Sequence, residues 1–495
     1  MIHTGPSRRV RIWTAAIASS IAITLCAPDG VRAGRLPRSG GRVNVLASDV
    51  PHEVTPTALH GEVGTQIASC AFEGLTQLGS RGVEPNLAVR WFHSDDNRRW
   101  VFELRRDVQF HDGTPLDAQA VVASVSHLAS QGKRFDWLFG DLEGWTAFRD
   151  GSRAEIDGLV VHGAHELEFV FTRPVTDLPV RLALRPAAVA RWSNVAALGT
   201  GPFRLAGVLD ASLRLVAFES HHLGRPFLDE IDFVQRAGTT NPQELGKLSV
   251  GLVGPDASPG NDANLVRSPA QRLGAALVRP RSTAFQDLAV RQRLSTTFDR
   301  NVFVRATLAG NGAPAFGLSP ERPATIPPED TSGDLLHRPR ERVRVVVPDF
   351  EPVLRQLGAR LQVHLFALGF DASLDVLAPD EFAVVLLGEQ YDIALLGWTL
   401  PQRQSAKLQE TTLVRWILHD LLQPVLSQSM PEAWQQILDG TGQATEARLL
   451  ESHHLLPLVF YHDTWQVSAA LDNVDAGVGG ALLGLDAVHV EPGTE

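Results

Sequence analysis

The sequence predicts an α/β fold, and two stretches carry that prediction. Over residues 342–398 a strand (342–347), a helix (352–368), a strand (371–377), a short helix (380–387) and a buried strand (392–396) follow one another. Alternation at this spacing builds a right-handed α/β lobe around a parallel sheet. The second stretch, residues 100–128, reads as strand, turn and helix. A chain of 495 residues is long enough for two or three domains, each with a core of its own.

Each element has a local cause. Residues 42–47 (Arg-Val-Asn-Val-Leu-Ala) form a first strand after an Arg/Pro/Gly-rich lead, and a polar loop follows at 48–56. A helix is expected over 65–72, ended by Glu73-Gly74; Cys70 inside it reads as a small buried hydrophobe. Asp95-Asp96-Asn97 makes a turn into the strand that begins at Trp100. Trp100, Phe102 and Leu104 alternate with Val101, Glu103 and Arg105, the period of a strand with one buried face. Asp112-Gly113 with Pro115 is turn chemistry, since Gly supplies positive φ and Pro fixes φ near −65°. Asp117 is placed to cap the next helix, in which Ala118, Val121, Val122, Val125 and Leu128 share a face.

Further on, Gly163-Ala164-His165 reads as a turn between strands 159–162 and 166–172. Gly199-Thr200-Gly201-Pro202 is a rigid turn before a strand and lacks the Gly-Lys-Ser/Thr of a phosphate loop. Val290, Leu294 and Phe298 fall at i, i+4 and i+8 of one helix. Residues 320–339 form a Pro-rich surface loop. In the helix 352–368, Val353, Leu354, Leu357, Leu361 and Leu365 face inward, and Gly369 closes it as a C′ glycine. Leu396-Gly397-Trp398 falls at the carboxyl end of its strand, where open α/β sheets place ligands. Residues 413–430 and 431–450 read as helices.

Composition narrows the class. Hydrophobic residues at 44% and charged residues at 20% suit a globular chain. A net charge of −11 argues against nucleic acid, which needs a clustered basic surface. The first 33 residues read as a signal peptide. Arg8, Arg9 and Arg11 precede an apolar run, 12–25, too short for a comfortable bilayer span. Val31-Arg32-Ala33 places small residues at a cleavage site before Gly34. That segment carries four Arg and one Asp, so the mature chain is more acidic by three charges, at −14. Cys26 follows Ile23-Thr24-Leu25, a poor lipobox, and Ser7-Arg8-Arg9 is a weak twin-arginine start because Arg11 stands where an apolar residue belongs. With cleavage after Ala33, Cys70 is the only mature cysteine and no internal disulfide can form.

One string narrows the reading further. Residues 104–124, LRRDVQFHDGTPLDAQAVVAS, resemble the signature of the family 5 solute-binding proteins of ABC importers, the dipeptide- and oligopeptide-binding group. Other stretches resemble that family in the same order: AFEGLTQLG (71–79), EPNLAVRWFHSDDNRRW (84–100), GTGPFRL (199–205), LRLVAFESHHLGRPFLDEIDFV (213–234), the run from Asp287, YDIALLGWTLP (391–401) and the closing HHLLPLVFYHDTWQVSAALDNV (453–474). The resemblance implies a two-lobed periplasmic-binding-protein fold of class II, the large peptide-binding type, with a ligand cleft between the lobes. It assigns 1–33 to the signal peptide, 34–265 to lobe I with an inserted subdomain, 266–454 to lobe II, and 455–495 to a return to lobe I.

The same resemblance sets the functional expectations. The protein would capture a peptide or peptide-like solute by hinge closure and deliver it to a membrane permease with its ATPase. Nucleic acid, cofactor and metal are not expected, nor is enzymatic activity; a monomer is. The location is periplasmic or extracellular, or membrane-anchored if Cys26 is lipidated. Gly397, Trp398, Thr399, Ser48 and Asp49 are the ligand-binding candidates. In peptide-binding members an Asp soon after the Gly-Trp pairs with the peptide's amino group. Here Thr399-Leu-Pro-Gln-Arg-Gln404 follows, and no acidic residue comes before Glu410. A buried ammonium needs a compensating charge. The departure keeps open a solute without a free amine (a sugar, a metal chelate or another small molecule), or a divergent ligand sensor or partner-docking protein. His221-His222 and His453-His454 read as surface or packing histidines, because adjacent histidines diverge and no nearby carboxylate completes a site. No Gly-x-Ser-x-Gly elbow or His-Glu-x-x-His helix is present.

Overall fold

One large mixed sheet runs through the molecule. Its order is 203–209, 212–217, 230–235, 42–47, 249–253, 455–468, 263–278, 393–399, 342–348 and 371–377, with 312–314 added beside 455–468. The computed structural model describes residues 39–47, 50–59, 61–79, 82–192, 197–209, 212–235, 249–253, 263–308, 311–319, 341–349, 351–400, 414, 417–422, 425–426, 429–438, 446–472 and 488–490. The expected signal peptide, Ser48, Asp49 and the Pro-rich loop at 320–339 lie outside the described residues.

Both flanks of the sheet are parallel at their centres. Arg42–Ala47 runs parallel to Glu230–Gln235 and to Ser249–Val253. On the other flank Arg342–Pro348 runs parallel to Asp371–Leu377 and Ile393–Thr399. The helix Pro352–Ala367 packs Val353, Leu354, Leu357, Leu361 and Leu365 onto this second flank. Gly369 follows at φ 92°, the left-handed value that a C′ glycine supplies without strain. The α/β lobe read from residues 342–398 is therefore present, with its bounds shifted by a few residues.

Two long antiparallel strands join the flanks. Ala263–Val278 and Leu455–Ser468 pair with each other along almost their whole length. The first also pairs with Ile393–Thr399, and the second with Ser249–Val253. Their ladder shifts register in two places, by a small irregularity between Gly274 and Ala275 and by a longer break between Arg267 and Gln271, opposite Asp463 on the other strand. Pro269 lies in that interval and has no N–H to give a ladder, which accounts for the break.

A four-stranded antiparallel sheet of its own holds the strand-turn-helix unit, in the order 88–93, 99–104, 166–170, 159–163. Trp100, Phe102 and Leu104 are buried, as their period requires. Asp117 accepts from the Ala120 amide at 2.8 Å and caps the helix Ala118–Ser130. Cys70 is buried at the end of the helix Gly61–Ala71.

Arg300 shows how a buried cation is held without a carboxylate. It opens the helix Arg300–Thr307, and its guanidinium donates to the carbonyls of Ala315 (2.8 Å), Pro457 (3.0 Å), Ser295 (2.7 Å) and Phe298 (3.3 Å). Four oxygens from three segments meet on one side chain.

The structure corrects two expectations. The strand expected to end at Leu396 runs to Thr399, because Gly397, Trp398 and Thr399 stay paired with Gly274, Leu273 and Arg272. In place of two helices over 413–450, the described residues hold one wide turn of π type at Ile417–Leu422 and two short helices, Glu432–Leu438 and Glu446–Glu451.

Candidate functional site

The strand Ile393–Thr399 has two different faces. Alternation sends Ala394, Leu396 and Trp398 into one apolar cluster, and Ile393 and Leu395 into another. Trp398 is 6% exposed, in a cluster with Leu400, Leu418, Met430 and Trp434. The same cluster takes in Leu78 and Val180 from the amino-terminal part of the chain. Nearby, Trp137 stacks on His419 with ring centroids 5.9 Å apart. Trp398 thus belongs to an apolar layer supplied by distant parts of the sequence.

Gly397 faces the other way, onto a buried ionic cluster. A Cβ there would lie 2.8 Å from Arg272 Nη2 and 2.9 Å from the Tyr461 hydroxyl, so only glycine fits without displacement. Arg272 is 1% exposed. It forms an ion pair with Glu351 and lies 3.4 Å from both carboxylate oxygens of Asp463. Its Nη2 also donates to the Gly397 carbonyl at 3.4 Å. The Tyr461 hydroxyl donates to Glu351 Oε2 at 3.3 Å, and the guanidinium sits over the Tyr461 ring.

The charge balance of this cluster is uneven. Among the described residues two carboxylates share one guanidinium here, so their full ionisation would leave one buried negative charge in excess. Burial pushes the Asp463 carboxyl up to about 6; the Glu351 charge adds to the effect and Arg272 opposes it. Burial likewise holds the Tyr461 hydroxyl well above its ordinary range, so it remains a donor at neutral pH. The cluster can therefore take up a proton at Asp463. Asp463 stands at the break in the ladder, where the long strands pass from one flank to the other.

The sequence candidates come out unequally. Gly397 and Trp398 lie on opposite faces of one strand. Thr399 is paired through its backbone with Arg272. Ser48 and Asp49 lie outside the described residues. Reading the sequence missed Arg272, Glu351, Tyr461 and Asp463. A signal existed for one of them: Leu455–Ser468 is buried on both faces along almost its whole length, so a lone Asp within it has to be a buried charge. His454 is a packing residue, its Nδ1 3.1 Å from the Val278 carbonyl, and burial pulls it down to about 4.

Comparison with known proteins bears on most of the chain. Residues 82–405 match the model of the bacterial extracellular solute-binding proteins, family 5. A probable di/tripeptide-binding protein of Pseudomonas aeruginosa is 25% identical over 365 residues, 65% of this chain and 69% of that one. The murein tripeptide-binding protein MppA of Escherichia coli superposes with a TM-score of 0.74 at 16% identity, over 92% of this chain and 99% of its own. The binding protein AgaA of A. tumefaciens R10, solved with agropinic acid, gives 0.67 at 18% identity, over 91% and 99%. The fold is that of the periplasmic peptide-binding proteins.

Proposed function

The chain belongs to the bacterial extracellular solute-binding proteins of family 5, and on that premise we propose that it captures a peptide or peptide-like solute outside the cytoplasm and hands it to an ABC permease and its ATPase. It works as a monomer by hinge closure, with no covalent chemistry. Residues 34–265 and 455–495 form one lobe and 266–454 the other, and the two long strands are the hinge. Gly397, Trp398 and Thr399, with Ser48 and Asp49, line the cleft on this reading.

The observation that carries the reading is the surplus carboxylate of the Arg272 cluster. The segment after Trp398 lacks the acidic residue that would neutralise a peptide amino group. Asp463, which among the described residues shares one guanidinium with Glu351, supplies the missing charge from a different strand. Apolar surface around Trp398 supplies affinity, and the ionic cluster orients the ligand. A solute without an amine is the second reading. It is favoured by the absence of any acidic residue from Thr399 to Gln404, and by a structural neighbour solved with agropinic acid.

The test is native mass spectrometry of the untagged mature chain, identifying whatever is released on denaturation, followed by calorimetry with dipeptides and their N-acetylated forms. Peptide capture with at least about tenfold preference for the free amine, equal to roughly 1.4 kcal/mol, is the expected result. Binding of the acetylated form with equal affinity would move the reading to an amine-free solute.

A further inference from the structure

A second polar cluster lies among residues that the ligand site does not use. The helix Gly61–Ala71 ends just before Glu73, whose backbone is fixed by the Val189 amide donating to its carbonyl at 2.8 Å. The turn Gly199-Thr200-Gly201 packs tightly on the helix end; a Cβ at Gly199 would lie 1.9 Å from the Ala71 carbonyl oxygen. That close approach delivers the Thr200 hydroxyl to Glu73 Oε2 at 2.8 Å. His221 and His222 come from the turn between the strands Ser212–Ala217 and Glu230–Gln235. Their side chains are 6% and 0% exposed, and that of Glu73 is 10% exposed.

One ring nitrogen of His221 is held from outside the cluster. Its Nδ1 lies 3.2 Å from the Gly224 carbonyl oxygen, which can only accept. Nδ1 therefore carries a hydrogen, and Nε2 is the nitrogen turned toward Glu73. That Nε2 is buried and has no hydrogen-bond partner among the described residues. It lies 3.6 Å from Glu73 Oε1, beyond hydrogen-bond reach, and His222 Nε2 lies 3.0 Å from the same oxygen. Facing a carboxylate at that distance, Nε2 calls for a proton or a bound cation between the two.

We propose that Glu73, His221 and His222 hold a divalent transition-metal ion. One donor atom from each lies within 4.8 Å of the others. Donors about 2.1 Å from a tetrahedral centre sit roughly 3.4 Å apart, close to the spacing seen here. Two imidazoles and one carboxylate suit the borderline ions zinc, nickel and cobalt rather than calcium or magnesium. Thr200 and the Gly224 carbonyl orient the ligands from outside, as the partners of metal-bound residues ordinarily do. A fourth position is left for water. The ion would tie the helix end, the Gly-Thr-Gly turn and the His-His turn into one rigid unit, so its role is structural and separate from solute capture.

The test uses the untagged chain from Gly34, stripped with a chelator and titrated with zinc or cobalt(II). Native mass spectrometry reads stoichiometry, cobalt absorption reads the donor set, and thermal unfolding reads the coupling to stability. One ion per chain and a raised Tm are expected. Thr200→Val should weaken affinity by about 10- to 100-fold, and Glu73→Gln and His221→Gln by more. No ion bound by the wild type from zinc, cobalt or nickel, or equal binding by folded Glu73→Gln and His221→Gln, would overturn the proposal. If those two do not fold, unchanged affinity in Thr200→Val together with cobalt bands lacking nitrogen donation would overturn it as well.

Discussion

Arg272 and Arg300 are both buried, and they are held in opposite ways. Arg300 is surrounded by backbone carbonyls from the turn at 295–298, from Ala315 and from Pro457. Carbonyls are fixed dipoles that neither titrate nor leave, so burial pulls Arg300 down only to about 10 and it stays charged. Arg272 is held by the carboxylates of Glu351 and Asp463, which can exchange partners or take a proton. Carbonyl anchorage makes a brace, whereas carboxylate anchorage makes a group whose surroundings respond to an incoming charge. The surplus carboxylate stands where the two long strands change flank, and the brace lies within one flank.

Variants can break this contrast. Arg300→Met leaves four buried carbonyls without their donor. It should cost about 3–5 kcal/mol of stability in denaturant unfolding, with ligand affinity unchanged in whatever folds. A loss below about 1 kcal/mol would show that Arg300 is not the brace. Gly397→Ala drives a methyl against Arg272 and Tyr461 and should cost about 1–3 kcal/mol, with weakened solute binding in the same protein. Wild-type affinity there would remove the ionic cluster from the ligand's surroundings.

Two subtler tests sharpen the comparison. Asp463→Asn removes the surplus charge and leaves the Arg272–Glu351 pair, so stability should hold at neutral pH. Affinity for amine-bearing ligands should fall by at least about tenfold, roughly 1.4 kcal/mol, by calorimetry. Equal affinity would return the search for the counter-charge to other residues. The smallest effect is in pH. Asp463 is ionised above about 6, so affinity for a cationic ligand should decline as pH drops through that value, and the decline should vanish in Asp463→Asn. For stability the sign is reversed. The folded value lies above the ordinary 3.8, so protonation from about 6 downward favours the folded state.

What could be read in the sequence divides along the same line of local against distant causes. Trp100, Phe102, Leu104 and the Asp117 cap were legible because a two-residue period and a side-chain-to-amide bond three residues away are local facts. The helix Pro352–Ala367 with Gly369 was legible for the same reason. The end of the strand at Thr399 was not, since the residues that extend it are Arg272 and Leu273, far back in the chain. Arg272, Glu351 and Asp463 each look ordinary in their own segment and form a cluster only when three elements converge. The His221-His222 pair looked incomplete because Glu73, its carboxylate, precedes it by 148 residues or more in the chain. The fold class and the family motifs were readable, and the polar chemistry was not.

The strand Leu455–Ser468 also has a consequence for the order in which the chain folds. It is the seam of the large sheet, paired with Ser249–Val253, with Ala263–Val278 and with Gly312–Pro314. Until residue 468 has been made, those strands lack a neighbour, and the sheet cannot close in order of synthesis. Pairings this remote along the chain form late and slowly. A chain still being made can pair the strands of its outer flanks, but its central sheet closes only once Leu455–Ser468 arrives.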